Sequence, residues 1–410
     1  MKNKVLITTA ITALLSSGAM ADVSLIKSKD GFNVDIGAEL LFETGTRLQH
    51  GAGKSVTENN TDIGINSNAA IHLSAKQALA NNWNVGLQLG LASNNLTATP
   101  AGAHYLDRTY IWAEQPSFGK AEFGSNVSAA NNMKIDGDVS GGWEDYVNTD
   151  AHGVKSSNFL TSPKLVFKEK DFDLFGSHER SRKVTYYTPK YSGFQYGISY
   201  IPDVYNNGSY ANMPNAKVPN RKETNGVSMG LTWEKPLDNK QNLEFALAGE
   251  MAKVERSPLD KANHRSYYNS TAVMIGGTYK YEKLSLTASY GNHWKTRVQK
   301  TAAHVPYAYF SVLGASYDLT EKATLSSSFF YSRQYDNPMI VAAVAGEYKL
   351  IPGVLPYASI VFFDMWQKKN YTSVIPVPTK KNDANGNSSF SDSRASNSGT
   401  AFTLGTKFQF

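Results

Sequence analysis

The 410 residues include no cysteine. A disulfide framework, a thiolate metal site and a cysteine redox centre are therefore excluded. Beyond the first twenty residues there is no uninterrupted apolar run of about 18 residues, the length a membrane-crossing helix needs. Charge of one sign is also scarce: 41 Lys plus Arg stand against 35 Asp plus Glu, a net of +6. No basic block marks a nucleic-acid binder. The eight histidines are scattered, with no His-x-x-x-His pair, so no metal centre stands out. Nothing in the composition calls for a cofactor.

Aromatics are plentiful, at 12% with 23 Tyr and 19 Phe. They favour strands and suit the aromatic belts of membrane proteins. The first residues read as a targeting segment. Lys2 and Lys4 precede an apolar stretch over residues 5–17, and Ala19-Met20-Ala21 fits the small-x-small cleavage rule. A signal peptide is expected over residues 1–21, cleaved after Ala21, with a single domain over 22–410. Without Lys2 and Lys4 the balance is 39 basic to 35 acidic residues, a net of +4. A retained anchor fits less well, because the apolar core is too short to span a bilayer.

Period-two alternation, the mark of a half-buried strand, recurs along the chain. Phe32, Val34, Ile36, Ala38 and Leu40 share one face against Asn33, Asp35, Gly37 and Glu39. Trp83, Val85, Leu87, Leu89 and Leu91 oppose Asn84, Gly86, Gln88 and Gly90. The last strand sets Phe402, Leu404, Thr406, Phe408 and Phe410 against Thr403, Gly405, Lys407 and Gln409. Short turns, as at Tyr281-Glu282-Lys283 and Ile351-Pro352-Gly353, alternate with polar loops over residues 43–62, 93–104, 202–222 and 367–399. Such a pattern fits a secreted soluble β protein or a barrel in an outer membrane, since a barrel hides its membrane face from a hydropathy scan.

One stretch separates these readings. A strand over residues 105–114 is followed by the tight turn Gln115-Pro116-Ser117-Phe118-Gly119 and a strand over 120–124. A connection of about sixty residues then precedes the strand near 184–188, and connections so long are rare unless they carry function. A short turn on one side and a very long loop on the other is the asymmetry of an outer-membrane hairpin. The expected fold is all-β: a transmembrane antiparallel barrel of sixteen strands, with eighteen as the alternative. Its constriction loop, about residues 126–180, folds inward. Small inward-facing residues (Gly, Ser, Ala, Asn) point to a hollow barrel.

Three stretches resemble the general porins of Gram-negative bacteria. The first is Asp107-Arg108-Thr109-Tyr110-Ile111-Trp112 with Phe118-Gly119-Lys120-Ala121-Glu122-Phe123-Gly124. It is similar to that family's Arg-led strand, Phe-Gly turn and strand into the constriction loop. The second is Val184-Thr185-Tyr186-Tyr187-Thr188-Pro189 with Ser192-Gly193-Phe194, similar to the strand pair after that loop. The third is the terminal Phe410.

The resemblance implies a homotrimeric, water-filled channel in the outer-membrane lipid, passing small hydrophilic solutes and ions. In the family the terminal aromatic is read by the barrel-assembly machinery. The loop is expected to set Asp136, Asp138, Glu144, Asp145 and Asp150 across from a basic wall of Arg108, Arg180 and Arg182. Opposed charges in a narrow pore tune ion selectivity. The chain departs from the family at residues 69–76, which carry His72 but no arginine, and at Ser125, where Arg is frequent. The basic wall is expected to be thinner for it.

Enzymatic readings are weaker, and no catalytic residue is assigned. Gly226-Val227-Ser228-Met229-Gly230 matches a nucleophile elbow, but that motif needs a strand-to-helix turn, and here it lies inside an alternating strand. Gly53-Lys54-Ser55 lacks the earlier glycine of a phosphate loop. Two other readings of the barrel stay open. One is a substrate-specific channel of sugar or nucleoside type, with Trp112, Trp143 or Tyr146 lining a track. The other is a plugged structural or adhesive barrel.

Overall fold

The computed structural model describes residues 23–28, 31–51, 63–94, 105–135, 181–204, 221–256, 258–296, 298–300, 307–334, 337–366 and 396–409. Nearly all of them are strand. In chain order the elements are β1 (Val23–Lys27), β2 (Phe32–Gly51), β3 (Ile63–Ala78), β4 (Asn84–Asn94), β5 (Tyr105–Gln115) and β6 (Gly119–Ser125). The short helix α1 (Ala129–Met133) precedes β7 (Arg182–Tyr187), β8 (Phe194–Asp203), β9 (Arg221–Pro236) and β10 (Gln241–Arg256). Then come α2 (Pro258–Ala262), β11 (Ser270–Tyr281), β12 (Leu284–Trp294), β13 (Ala308–Asp318) and β14 (Ala323–Gln334). The last are β15 (Asn337–Tyr348), β16 (Val354–Trp366) and β17 (Ser396–Gln409).

From β2 to β17 each strand pairs antiparallel with the next, and β17 returns to β2 with Gln409 opposite Glu39. The sixteen strands β2–β17 thus close into a barrel, as the alternation predicted. Closure satisfies every ladder and removes the open edges that hydrocarbon would not tolerate. The short β1 was not anticipated. It pairs Val23 with Ile36 and Lys27 with Asn33, on the edge of β2 that β17 leaves vacant beyond Glu39.

The two faces are chemically opposite. Ile111, Phe123, Ile198, Met229, Leu247, Ile275, Leu313, Phe329, Phe362 and Leu404 are exposed on the outside. An apolar outer belt of this kind is what lipid requires of a barrel. Aromatic pairs rim the short-turn end: Trp83 with Phe118 at 5.9 Å and Phe194 with Trp233 at 6.0 Å between ring centroids. Towards the long-loop end Tyr309 stands 6.3 Å from Tyr290 and 6.2 Å from Tyr331. Rings at both boundaries match the girdles that anchor barrels at the lipid–water interfaces.

Strand ends differ from expectation. β2 continues through residues 43–51, which read as loop, because β17 pairs with all of them and β3 with the first four, as at Thr44, opposite Leu404 and Ile65. The inner face also differs by sector. Gly197, Ser199, Gly226, Ser228, Gly230 and Gly276 on β8, β9 and β11 are small, as expected of a hollow barrel. On β13–β16 small inward residues such as Ser328, Ala343 and Ser359 are joined by Phe310, Val312, Phe330, Val341, Val361 and Phe363, which are buried in one apolar cluster with Phe310 stacked on Phe330 at 6.1 Å. That sector of the wall is shielded from water.

The turn ending at Gly119 shows why the sequence fixes a glycine there. Its φ is +91°, and a side chain would strike the carbonyl of Tyr187 on the adjacent strand. Only glycine adopts this conformation without strain.

Candidate functional site

The ten described residues that follow β6, 126–135, do not leave the barrel. They run along its inner wall. The amides of Ala129 and Ala130 at the start of α1 donate to Ser199 Oγ on β8 and Ser228 Oγ on β9, each at 2.8 Å. These donors open the helix and would otherwise lack acceptors. Ser128 Oγ donates to Glu250 Oε1 on β10 at 2.5 Å, and Asn131 Nδ2 reaches the same oxygen at 3.2 Å. The small residues of this sector now have a reason. A Cβ on Gly230 would lie 2.6 Å from Met133 Cβ, and one on Gly197 would lie 2.5 Å from Met133 Sδ. A Cβ on Gly276 would strike the carbonyl of Ile135. The glycines and serines of β8, β9 and β11 form a slot for this segment.

Ser228 also settles the nucleophile-elbow pattern. It lies within β9 between inward-facing glycines, and its hydroxyl accepts the Ala130 amide.

Lys183 closes the base of the long connection. Buried on the inner face of β7, it donates to the carbonyl of Asn126 at one end of the connection and to that of Ser181 at the other, the latter at 2.6 Å. Beside it the buried Glu122 accepts from Asn126 Nδ2 and pairs with Lys120 at 2.7 Å. A charge buried this way needs its partners, since an unpaired one costs several kcal/mol.

The expected site residues divide into three groups. Arg108 shares the inward face of β5 with Tyr110 and Trp112 and sits opposite Gly90 of β4. Arg182 does not face inward. Strand β7 alternates exposed and buried residues, and Arg182 falls with Val184 and Tyr186 on the outside. The inward cation of that strand is Lys183, one position on. Arg180 and the acids Asp136, Asp138, Glu144, Asp145 and Asp150 lie outside the described residues, as do Trp143 and Tyr146.

Lys76, Lys120, Lys183 and Glu250 also line the inner wall and were not among the expected site residues. A signal for Lys120 was present, because it falls in the same alternation phase as Glu122. Tyr110 Oη donates to Gln88 Oε1 at 2.5 Å and fixes the wall between β4 and β5.

Comparisons with known proteins agree with this geometry. A family model described as Gram-negative porin matches residues 8–365. An uncharacterized protein from Rickettsia bellii (strain RML369-C) is 27% identical, covering 98% of this chain and 97% of its own length. One from Rickettsia conorii (strain ATCC VR-613 / Malish 7) is 26% identical over 99% of this chain and all of its own. Among solved structures, the anion-selective porin from Comamonas acidovorans superposes with a TM-score of 0.58 at 11% identity, covering 92% of this chain and 100% of that one. A mutant Rh. blastica porin gives 0.54 at 12% identity over the same shares. At such identities the solved structures speak for the fold alone.

Proposed function

The chain belongs to the Gram-negative porin family, whose members are outer-membrane channels and not enzymes, and from that premise we propose that it passes small hydrophilic solutes and ions by passive diffusion. The observation that carries the reading is the clamp of residues 126–135 on the inner wall, with α1 bonded to Ser199, Ser228 and Glu250. It sends the chain after β6 into the lumen, so the rest of the long connection starts its course inside the barrel.

In this proposal the connection narrows the pore at about residues 126–180. Asp136, Asp138, Glu144, Asp145 and Asp150 stand across from Arg108 and Arg180, with Lys76 and Lys120 added to the basic side. A transverse field between facing charges then sets the ion preference. The leader is removed after Ala21, the mature chain assembles as a homotrimer in outer-membrane lipid, and Phe410 is the handle for the assembly machinery. The family match and the apolar outer belt support the outer-membrane setting.

The test is single-channel recording from refolded mature protein in planar bilayers under a salt gradient. Stable conductance in triplet steps is the expected result. The reversal potential reports whether loop acids or wall cations dominate, and neutralising Asp136 and Asp138 should move it towards anion preference. Silence from correctly folded, heat-modifiable protein would sink the pore and favour a plugged barrel.

A further inference from the structure

One inner-wall cluster takes no part in holding α1, and only Glu122 of it touches the base of the long connection, through Asn126. Lys76, Gly86, Trp112 and Glu122 lie in one row across β3, β4, β5 and β6, each opposite the next in register. Gly86 is what lets the indole lie along the wall. A Cβ there would come within 2.5 Å of Trp112 Cζ2 and 2.6 Å of its Cε2. The ring is half-buried, so part of it faces the lumen. Lys76 reaches it from β3 and Lys120 from β6, with Nζ 5.8 Å and 5.4 Å from the ring centroid.

Each lysine is already matched by an acid. Lys76 is 3.6 Å from Glu114 and Lys120 is 2.7 Å from Glu122. Paired charges of opposite sign leave little net field for a simple ion, because the attraction of one is cancelled by its neighbour. What remains is a flat aromatic surface flanked by two ammonium donors and one partly exposed carboxylate acceptor, Glu114, since Glu122 is buried and already accepts from Lys120 and Asn126. A hydroxyl both donates and accepts, so a solute with several hydroxyls around a flat, partly apolar ring meets all three features at once. We infer that the Trp112 platform is a pausing site for pyranose sugars inside the channel. The inference rests on the pore reading and adds a solute class to it.

The experiment is current-noise analysis of single channels exposed to D-glucose, with sorbitol as the open-chain control of similar hydroxyl content. Glucose should add concentration-dependent noise and sorbitol little. Trp112→Ala should weaken the glucose association constant by about tenfold, the scale of one lost aromatic contact, and Trp112→Phe should keep most of it. Glucose noise unchanged in Trp112→Ala, or equal noise from sorbitol, would overturn the sugar site while leaving the pore intact. Absence of any conductance would remove the pore reading and this site with it.

Discussion

Replacing Gly197 and Gly230 by valine and Glu250 by alanine should turn a steady channel into one that flickers between two levels. With Glu250 gone, and with it the bonds from Ser128 and Asn131, the slot holds α1 by two amide-to-serine hydrogen bonds and by the buried side chain of Met133. Each bond contributes about 1 kcal/mol net, and burying a methionine contributes roughly 1.5–3 kcal/mol. The docked segment is therefore held by about 4 kcal/mol. The new Cβ atoms would stand 2.5 Å and 2.8 Å from Met133 Sδ, and the one at 197 would also press on the Tyr187 ring at 2.8 Å. Overpacking costs about 1–3 kcal/mol per site, so two sites nearly cancel the docking energy. The wall itself should persist, since strand hydrogen bonds are untouched and valine suits a strand better than glycine. Docked and released states would then be populated within a factor of about ten of each other, because 1.4 kcal/mol is one decade. Single-channel recording checks this: a second, larger conductance level with rapid exchange is expected. A heat-modifiable triple variant with one level identical to that of the parent would refute the claim that α1 is held by close fit.

Three further outcomes follow from the same structure. Lys183→Met strips the Asn126 and Ser181 carbonyls of their shared donor, and each buried orphan costs about 1–3 kcal/mol; thermal unfolding in detergent should shift down and open-channel noise should rise. Leu313→Arg puts a charge in the middle of the outer belt, at a cost of about 2–4 kcal/mol, so the folded fraction in vesicles, read by gel mobility without heating, should fall. Lys240 lies in the exposed turn between β9 and β10, where its hydrogen bond to Glu282 holds its ammonium above the usual lysine range. A raised folded value means the pairing stabilises below the ordinary lysine pKa and fades as pH climbs through the folded one, yet full solvent exposure makes it weak. Lys240→Ala should accordingly leave the unfolding temperature at neutral pH unchanged.

Barrel closure was legible because lipid on one side and a polar lumen on the other impose contrast on every second residue. Where that contrast fades, so did the reading. Residues 43–51 of β2 carry threonines where apolar residues would be, as at Thr44 and Thr46, and alternation vanished although the ladder to β17 ran on through Gly51 and that to β3 through Thr46. Strand β1 is too short to show a period. The inward aim of Arg108 could be read from its alternation with Tyr110 and Trp112. On β7 the paired tyrosines 186 and 187 put an aromatic on each face, which hid the phase and cost one position, Arg182 for Lys183. The slot for α1 was visible only as a surplus of glycine and serine on β8 and β9. No local pattern states what a small residue makes room for.

Every ladder in the sheet joins neighbours in sequence except the seam, which pairs residues 39–51 of β2 with residues 397–409 of β17. Joining such distant segments adds little to the entropy of loop closure, which grows only with the logarithm of length. The burden is one of timing, since long-range pairing is slow. Until the last strand arrives, β2 presents an unpaired row of amides and carbonyls that cannot enter hydrocarbon. The sheet therefore cannot be threaded into the bilayer hairpin by hairpin. Insertion and ring closure have to be one event, and a chain cut short before β17 should stay in water as substrate for chaperones and proteases.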